Sequence, residues 1–334
     1  MPLTIARLIQ DNPGNVARRL ALLDGVSRQT ASKQLAELKR AGMIAAEGVG
    51  RGTRYRLVEI AGGDRHYPTS SLSEGRVWSE LCDPVLHGLP ANIRRIWHHG
   101  LTEMINNAID HSGADQLRVQ LSRNILGTMA RVTAPGVGVF RKIRHAFNLQ
   151  DDRDAILELA KGKCTTDPER HTGEGIFFSS KMFDQFSLHS GALFYLYDND
   201  KSDPADILVE AGRDDAGTTV FMRLANDSTR TSKEIFDQFA LPEDYVFART
   251  VVPVRLAQRG NDMLVSRSEA KRLTRHFDRF QCVILDFSGV TDIGQGFADE
   301  VFRVFRNAHP ALVITPIRAS AAVAAMIARV SKES

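Results

Sequence analysis

A glutamate and an asparagine one helical turn apart are the first residues whose spacing predicts chemistry. Glu103, Asn107 and Asp110 share one face of a predicted helix in IWHHGLTEMINNAIDHSGA, because residues three, four and seven apart lie on the same side of a helix. The opposite face is apolar and consists of Leu101, Met104, Ile105 and Ala108. A glutamate in this position can orient or deprotonate a water, and an asparagine oxygen is a hard ligand that suits Mg²⁺ beside phosphates. A solvated polar helix face is the alternative interpretation.

Three glycine-containing segments follow this helix and indicate a ligand with phosphate groups. RVTAPGVGVF contains Gly136 and Gly138, a spacing that makes room for a ligand close to the backbone. HTGEGIF places Gly173 and Gly175 directly before a predicted helix, where backbone amides favour anions. DDAGTTVF contributes threonine hydroxyls. Each segment is a weak signal alone, since glycine pairs are common, and the prediction depends on their order.

In this order the segments resemble the Bergerat-type (GHKL) ATPases, which include gyrase, heat-shock chaperones, mismatch-repair ATPases, histidine kinases and anti-sigma kinases. The family's N box, ExxxNAxxH, matches Glu103, Asn107, Ala108 and His111. Its second glycine box matches Thr172, Gly173, Glu174 and Gly175, followed by a helix from Ile176. Its late GTT element matches Gly217, Thr218 and Thr219. The resemblance implies an ATP site with Mg²⁺ on Asn107, Glu103 as the catalytic residue and Thr219 beside the adenine.

The first glycine box departs from the family pattern at the position that selects the base. In the family's DxGxG the aspartate accepts a hydrogen bond from the adenine amino group, whereas this chain has Ala134, whose methyl group cannot accept one. Pro135 also removes a backbone donor and fixes φ. Gly136 and Gly138 are kept, so we expect weak, base-tolerant, magnesium-dependent ATP binding and very slow hydrolysis. If the base is held tightly, Asp110 is the first residue to test; the chain is either a degenerate ATPase or a variant of an active parent.

The first sixty residues have the pattern of a helix-turn-helix followed by a hairpin. A turn at Asp24 and Gly25 separates two predicted helices, and Ser27 can cap the second. Ten lysines and arginines against five acidic residues give this segment a net charge of +5. It resembles the winged-helix domains of bacterial transcription regulators. The expected DNA contacts are Arg28, Gln29, Ser32 and Lys33 on the second helix and Arg51 and Arg54 in the wing.

From Val251 onward, strands and helices alternate, which predicts an α/β layer. The segment resembles STAS-like domains, whose best-known members are anti-sigma factor antagonists. DFSGVTDIGQGFADE matches their strand-loop-helix core, but Gly294, Gln295 and Gly296 replace the phosphorylatable serine pair, which excludes phosphorylation there. Several acidic residues either form a recognition surface for a protein partner or belong to a polar loop and helix cap. They are Asp286, Asp292, Asp299 and Glu300.

We therefore predict a multidomain chain that combines α+β and α/β structure. The expected parts are a winged helix (1–60), a linker (61–88), a Bergerat-type α/β sandwich (89–226), a second linker (227–248) and a STAS-like layer (249–332). The sequence of 334 residues shows neither an apolar run of membrane-spanning length nor a secretory signal, so we expect a cytoplasmic protein. Its three cysteines are far apart and predict neither a disulfide framework nor a zinc site.

Three functions fit this organisation. The first is a regulator that binds DNA through the winged helix and senses ATP through the degenerate module. The second is a slow ATPase or an anti-sigma-like protein kinase that acts through STAS-domain partner switching, against which stand the missing acceptor serine and adenine aspartate. The third is a scaffold in a stress or defence system, with the winged helix as a protein contact. Winged helices often bind two-fold DNA sites, so a homodimer is the expected assembly.

Overall fold

The computed structural model describes residues 2–165, 172–200, 204–241, 246–259 and 263–332. The amino-terminal elements are α1 (Pro2–Asp11), α2 (Val16–Asp24), α3 (Arg28–Arg40), β1 (Ile44–Glu47) and β2 (Arg54–Leu57). Gly25 ends α2 with a φ of 65°, and the Ser27 hydroxyl accepts a hydrogen bond from Thr30 N at 3.1 Å where α3 begins. β1 and β2 pair in antiparallel orientation. The predicted helix-turn-helix and hairpin are confirmed at the level of secondary structure.

Residues 61–88 are not the polar linker that their turn-rich composition predicts. Ala61–Pro68 forms β3, an edge strand that pairs in antiparallel orientation with β4 (Gln116–Arg123). Tyr67 faces the core and is buried, while Asp64 on the outer face pairs with Arg118. Because an edge strand exposes one face, its polar residues resemble those of a loop in the sequence. The helical segments that follow are α4 (Glu74–Val77), a π-helical turn (Trp78–Cys82) and α5 (Asp83–Leu86).

A five-stranded antiparallel sheet with the order β3-β4-β5-β7-β6 forms the centre of the molecule. Its remaining strands are β5 (Gly127–Ala134), β6 (Gln185–Asp198) and β7 (Ala205–Ala225). The central helices are α6 (Ala91–His111), α7 (Val139–Ala146), α8 (Asp152–Lys161) and α9 (Gly175–Met182). α6 packs closely on the sheet at Gly100, where a Cβ atom would overlap Phe183 and contact Met222 of β7. The core between helices and sheet includes Trp97 and Val132, both fully buried or nearly so.

Residues 227–248, the second predicted linker, contain an amphipathic helix. α10 (Ser232–Phe239) begins with a capping box between Thr231 and Glu234, and its Ile235 and Phe239 are buried. Phe239 lies 4.9 Å from Phe177 of α9 between ring centroids. This helix is therefore part of the core rather than a connection.

The carboxyl-terminal part is a three-stranded parallel layer. Its strands have the order β10-β9-β8 and are β8 (Arg249–Pro253), β9 (Cys282–Asp286) and β10 (Val313–Ile317). The helices are α11 (Arg267–Thr274), α12 (Gln295–Asp299), which continues through a π-helical stretch (Glu300–Phe305) into α13 (Arg306–Ala308), and α14 (Ala321–Lys332). The alternation of strands and helices confirms the predicted α/β character of this part. Within the described ranges, the helices lack the length and apolarity needed to cross a bilayer.

A buried ion pair joins α8 to this layer. Lys161 is 1% exposed, and its Nζ donates to Glu158 Oε1 at 2.7 Å and to the carbonyl oxygen of Arg275 at 2.9 Å. The other Glu158 oxygen lies 2.9 Å from His276 Nδ1. α8 is thus held to the carboxyl-terminal layer by the contacts of a buried ion pair with Arg275 and His276.

Candidate functional site

Helix α6 places two predicted site residues on the wall of a cavity of about 370 Å³. Leu101 and Ile105 are buried and hold the helix against the core, so Glu103 and Asn107 on the other side are half-buried and line the cavity. The volume falls within the range of sites for small molecules and cofactors.

Nine of the residues that the sequence predicts for a nucleotide site line this cavity together. They are Glu103, Asn107, Ala134, Gly138, Thr172, Gly173, Glu174, Gly175 and Ile176. They come from α6, the end of β5, the start of α7 and the segment that opens α9. The structure therefore brings the predicted motifs to one place, and the contact of each residue with a ligand stays a prediction.

Asp110 does not line the cavity, although the helical spacing places it on the face of Glu103. It is exposed near the end of α6, and His111 lines the cavity at this level. Its position outside the cavity wall disfavours Asp110 as the substitute for the missing adenine aspartate, and its contact with a nucleotide stays a prediction.

Strand register places Thr218, rather than Thr219, in the cavity. Ala134 is opposite Thr218 and Thr133 is opposite Thr219 in the pairing of β5 with β7. Side chains alternate between the two faces of a sheet, so Thr219 lies on the outer face, where its hydroxyl is 3.3 Å from that of Thr133. The Thr218 hydroxyl accepts a hydrogen bond from Val139 N at 2.9 Å. Two adjacent threonines in the sequence cannot reveal which one faces inward.

Gly136 belongs to the packing of its loop and does not line the cavity. A Cβ atom at Gly136 would overlap the carbonyl oxygen of Ser112 at the end of α6, and Val137 N donates to the same oxygen at 3.1 Å. Gly138, with a φ of 90°, does line the cavity directly before α7. Of the two glycines predicted to make room for a ligand, only Gly138 lies at the cavity. Gly136 instead packs against the end of α6, where the loop folds back.

The segment before α9 contacts Cys164 at Gly173 and α6 at Gly175. Gly173 has a φ of 74°, and its carbonyl oxygen accepts a hydrogen bond from Cys164 N at 3.2 Å. Gly175 begins α9 beside Glu103, and a Cβ atom there would overlap Glu103 Oε2. Residues 166–171, directly before this segment, lie outside the described residues.

Charge is unevenly distributed on the cavity wall. Glu103 and Glu174 both line it, and burial raises the pKa of Glu174 above its ordinary value, with a further contribution from the nearby charge of Glu103. His99, one turn before Glu103, also lines the cavity, and burial lowers its pKa, so the imidazole is neutral at pH 7. Its Nε2 atom has no hydrogen-bond partner among the described residues. A divalent cation would offset the two carboxylates.

Several lining residues with chemical character were missed by reasoning from the sequence. They are His99, Lys142, Cys164 and Phe236. The position of His99, four residues before Glu103, was an available signal. Phe236 lies in the predicted linker (227–248), and the centroid of its ring is 4.2 Å from that of Phe178. Burial raises the pKa of Cys164 to about 12, so its thiol is not a nucleophile at pH 7.

The predicted DNA-contacting residues on α3 form an exposed surface. They are Arg28, Gln29, Ser32 and Lys33, opposite the buried Ala31, Leu35 and Leu38. Arg54 is exposed at the start of β2, while Arg56 pairs with Glu47 across the hairpin at 3.1 Å. Arg51 lies in a short 3-10 helix (Gly50–Gly52), and its side chain is outside the part of the chain that the structure describes.

Two of the four acidic residues predicted for a recognition surface, Asp286 and Asp299, pair with arginines. Asp286 accepts a hydrogen bond from Arg318 Nε at 2.9 Å. Asp299 accepts from Arg267 at 3.0 Å and from Arg303 at 2.9 Å. These pairs favour the interpretation of a polar loop and helix cap over that of an acidic recognition surface.

Comparison with known protein families finds two matches, one at each end of the chain. Residues 14–58 match the family described as "Transcriptional regulator DIP2311-like, C-terminal domain". Residues 269–324 match the "STAS-like domain of unknown function (DUF4325)". No GHKL ATPase family is matched. The searches of curated proteins and of solved structures find nothing similar to this chain. The chain thus combines a segment similar to a transcriptional regulator with one similar to STAS-like domains.

Proposed function

We propose that this protein is a nucleotide-responsive bacterial regulator that binds DNA through its winged helix. The observation that carries the proposal is the meeting of Glu103, Asn107 and the Thr172–Ile176 segment on one cavity, within a chain whose amino-terminal segment is similar to a transcriptional regulator. The ligand that suits this cavity best is ATP with Mg²⁺, bound weakly. A homodimer on a two-fold DNA site completes the proposal.

The phosphates would lie between α6 and the start of α9. Backbone amides at the beginning of α9 can donate to phosphate oxygens, and the absence of a side chain at Gly175 lets the backbone approach Glu103 closely. Glu103 would orient a water near the terminal phosphate. Because no fast turnover is needed for sensing, hydrolysis is expected to be very slow.

The donor set of the cavity suits Mg²⁺. Asn107 offers an amide oxygen, and the carboxylates of Glu103 and Glu174 lie on the same wall. Magnesium takes oxygen ligands, keeps waters and usually combines one or two protein ligands with phosphate oxygens. Asn107 would hold the ion, which would neutralise phosphate charge when bound.

The base would lie at the apolar end of the cavity, where selectivity is low. Val132, Ala134 and Val220 line this end, with Thr218 as a polar neighbour. The Thr218 hydroxyl already accepts from Val139 N, and Ala134 offers no acceptor for an adenine amino group. Apolar walls favour a flat ring without distinguishing its edge, which supports base-tolerant binding.

Two sets of contacts offer routes by which nucleotide binding in the cavity could affect the rest of the protein. One set joins the cavity region to the carboxyl-terminal layer, and the other joins the central part to α1 of the amino-terminal segment. Lys163 Nζ donates to the carbonyl oxygen of Arg279 at 2.8 Å, and Arg279 Nη1 donates back to that of Lys163 at 2.9 Å, one residue before the cavity-lining Cys164. On the other side, Arg7 of α1 pairs with Asp227 at 2.6 Å. Movement of the segment around the phosphates would therefore act directly on the STAS-like layer.

Replacing both Arg28 and Lys33 with alanine is expected to weaken binding to the preferred DNA site by about tenfold or more. The reason is that both side chains would contact base edges and phosphates of that site. Replacing Arg54 with alanine should weaken binding to every sequence and reduce the salt dependence of affinity, since a phosphate contact is lost. Fluorescence anisotropy with labelled duplexes at two salt concentrations measures both effects.

The matched control is Lys271→Ala, which removes an exposed charge from α11 of the carboxyl-terminal layer. DNA affinity should be unchanged in this variant. Equal affinity of the wild type, the α3 double variant and the Arg54 variant would instead assign the winged helix to protein contact.

A further inference from the structure

We infer that Lys142 binds the phosphate chain of the nucleotide, an assignment that rests on the proposed function. Lys142 lies on α7 and lines the cavity. Its Nζ donates to the carbonyl oxygen of His111 at 3.0 Å and is 3.3 Å from His111 Nδ1. No motif of the sequence points to this residue.

The charge of Lys142 is not matched by a carboxylate. Among the lining residues that the structure describes, it is the one lysine or arginine, whereas Glu103 and Glu174 supply negative charge. The neighbouring arginines of α7 are ion-paired: Arg141 with Asp214, and Arg144 with Asp152 at 3.2 Å. Lys142 contacts only a neutral carbonyl and an imidazole among the described residues. Its full positive charge is therefore available to an anion in the cavity.

The position of Lys142 matches the expected course of the phosphates. Its partner His111 follows Asn107 by one turn of α6, a rise of about 6 Å along the helix axis. Phosphates that share Mg²⁺ with Asn107 would pass within reach of the flexible lysine side chain. α7 itself is fixed by its buried residues Phe140 and Ile143, so the lysine projects from a firm support. An ammonium group acts on phosphate as a point charge and needs no fixed orientation.

A purely structural role is the competing explanation, because Lys142 also satisfies a carbonyl at the end of α6. The two roles differ in their dependence on the ligand's phosphates. Calorimetric titration of the full chain with ATP, ADP, AMP and adenosine, each with Mg²⁺, compares the wild type with Lys142→Met, Lys142→Gln and Lys142→Arg. Lys142→Gln can still donate to the His111 carbonyl but has no charge. Arg141→Met on the same helix serves as the control.

We expect Lys142→Met and Lys142→Gln to weaken ATP and ADP binding by about tenfold, with little change for adenosine, and Lys142→Arg to restore most of the affinity. Arg141→Met should bind like the wild type. Equal weakening of all four ligands, or unchanged ATP affinity in Lys142→Gln, would overturn the assignment of Lys142 while leaving the nucleotide site intact. If the wild type binds none of the four ligands, the proposed function and this inference both fail.

Discussion

Replacing Lys161 with methionine is expected to lower the free energy of unfolding by about 3 to 5 kcal/mol, because Glu158 would remain buried without its charge partner. In the wild type, Lys161 Nζ lies 2.7 Å from Glu158 Oε1, and Glu158 is a buried residue. Methionine keeps much of the length of the lysine stem, so the change isolates the loss of the charge and its hydrogen bonds. Chemical denaturation followed by circular dichroism measures the effect.

The stabilisation should also depend on pH. Burial raises the pKa of Glu158, but Lys161 and His276 outweigh burial and hold this pKa below its ordinary value of 4.5. A depressed carboxyl pKa contributes stability above the unfolded value and loses it as the pH falls through the folded value. The difference between the wild type and Lys161→Met should therefore shrink below about pH 4.5.

Lys233→Met is the matched control for the buried pair. Lys233 is exposed and pairs with Asp237 four residues along α10, so its replacement should change stability by less than about 1 kcal/mol. A second variant, Lys161→Met with Glu158→Gln, removes both charges and should recover part of the loss. Stability of Lys161→Met within 1 kcal/mol of the wild type would show that the pair is hydrated in solution and does not hold α8 to the STAS-like layer.

Replacing Ala134 with aspartate is expected to tighten ATP binding by about ten to a hundredfold. A hydrogen bond to a charged acceptor contributes about 1.5 to 3 kcal/mol, and each 1.4 kcal/mol is tenfold in affinity. Ala134 ends β5, is 3% exposed and lines the cavity, so an added carboxylate would face the bound base. GTP carries a carbonyl oxygen in place of the adenine amino group and should gain nothing at this position. Calorimetry with ATP and GTP in the presence of Mg²⁺ measures the ratio of the two affinities in the wild type and in Ala134→Asp.

The same substitution should destabilise the ligand-free protein, since a carboxylate is buried without a partner. Ala134→Asn provides an acceptor without the charge and should give a smaller gain for ATP. Equal gains for ATP and GTP, or no gain for ATP, would show that the base does not lie beside Ala134.

Local sequence signals predicted the amino-terminal elements and the shared wall of Glu103 and Asn107, whereas the meeting of the distant motifs at one cavity is what the family resemblance implies. Ser27 caps α3 as expected, because a cap depends on residues within one turn. Glu103 and Asn107 reach one wall because a helix fixes their separation. These features depend on neighbours in the chain, which a sequence shows directly.

Features that depend on strand register and on distant partners were not predictable in this way. The sequence motif predicts Thr219 beside the base, whereas Thr218 lines the cavity, because the register of β7 is set by its pairing with β5. The composition of residues 61–68 predicts a linker because an edge strand has one exposed face, whose polar residues resemble those of a loop. The buried pair gave no signal at all, since Arg275, whose carbonyl oxygen accepts from Lys161, and His276, which pairs with Glu158, are far along the chain.

Nucleotide in the cavity is expected to control DNA binding, and this control can be measured on the full chain. DNA affinity is compared with and without saturating ATP and Mg²⁺ for the wild type and for Ala108→Leu, using a duplex selected from a random pool by the wild type. Ala108 lines the cavity and is 8% exposed, so leucine would fill the site without removing Glu103 or Asn107. We expect nucleotide to change the affinity of the wild type by about fivefold or more and that of Ala108→Leu not at all. The same DNA affinity of the wild type with and without nucleotide would show that the cavity does not control DNA binding.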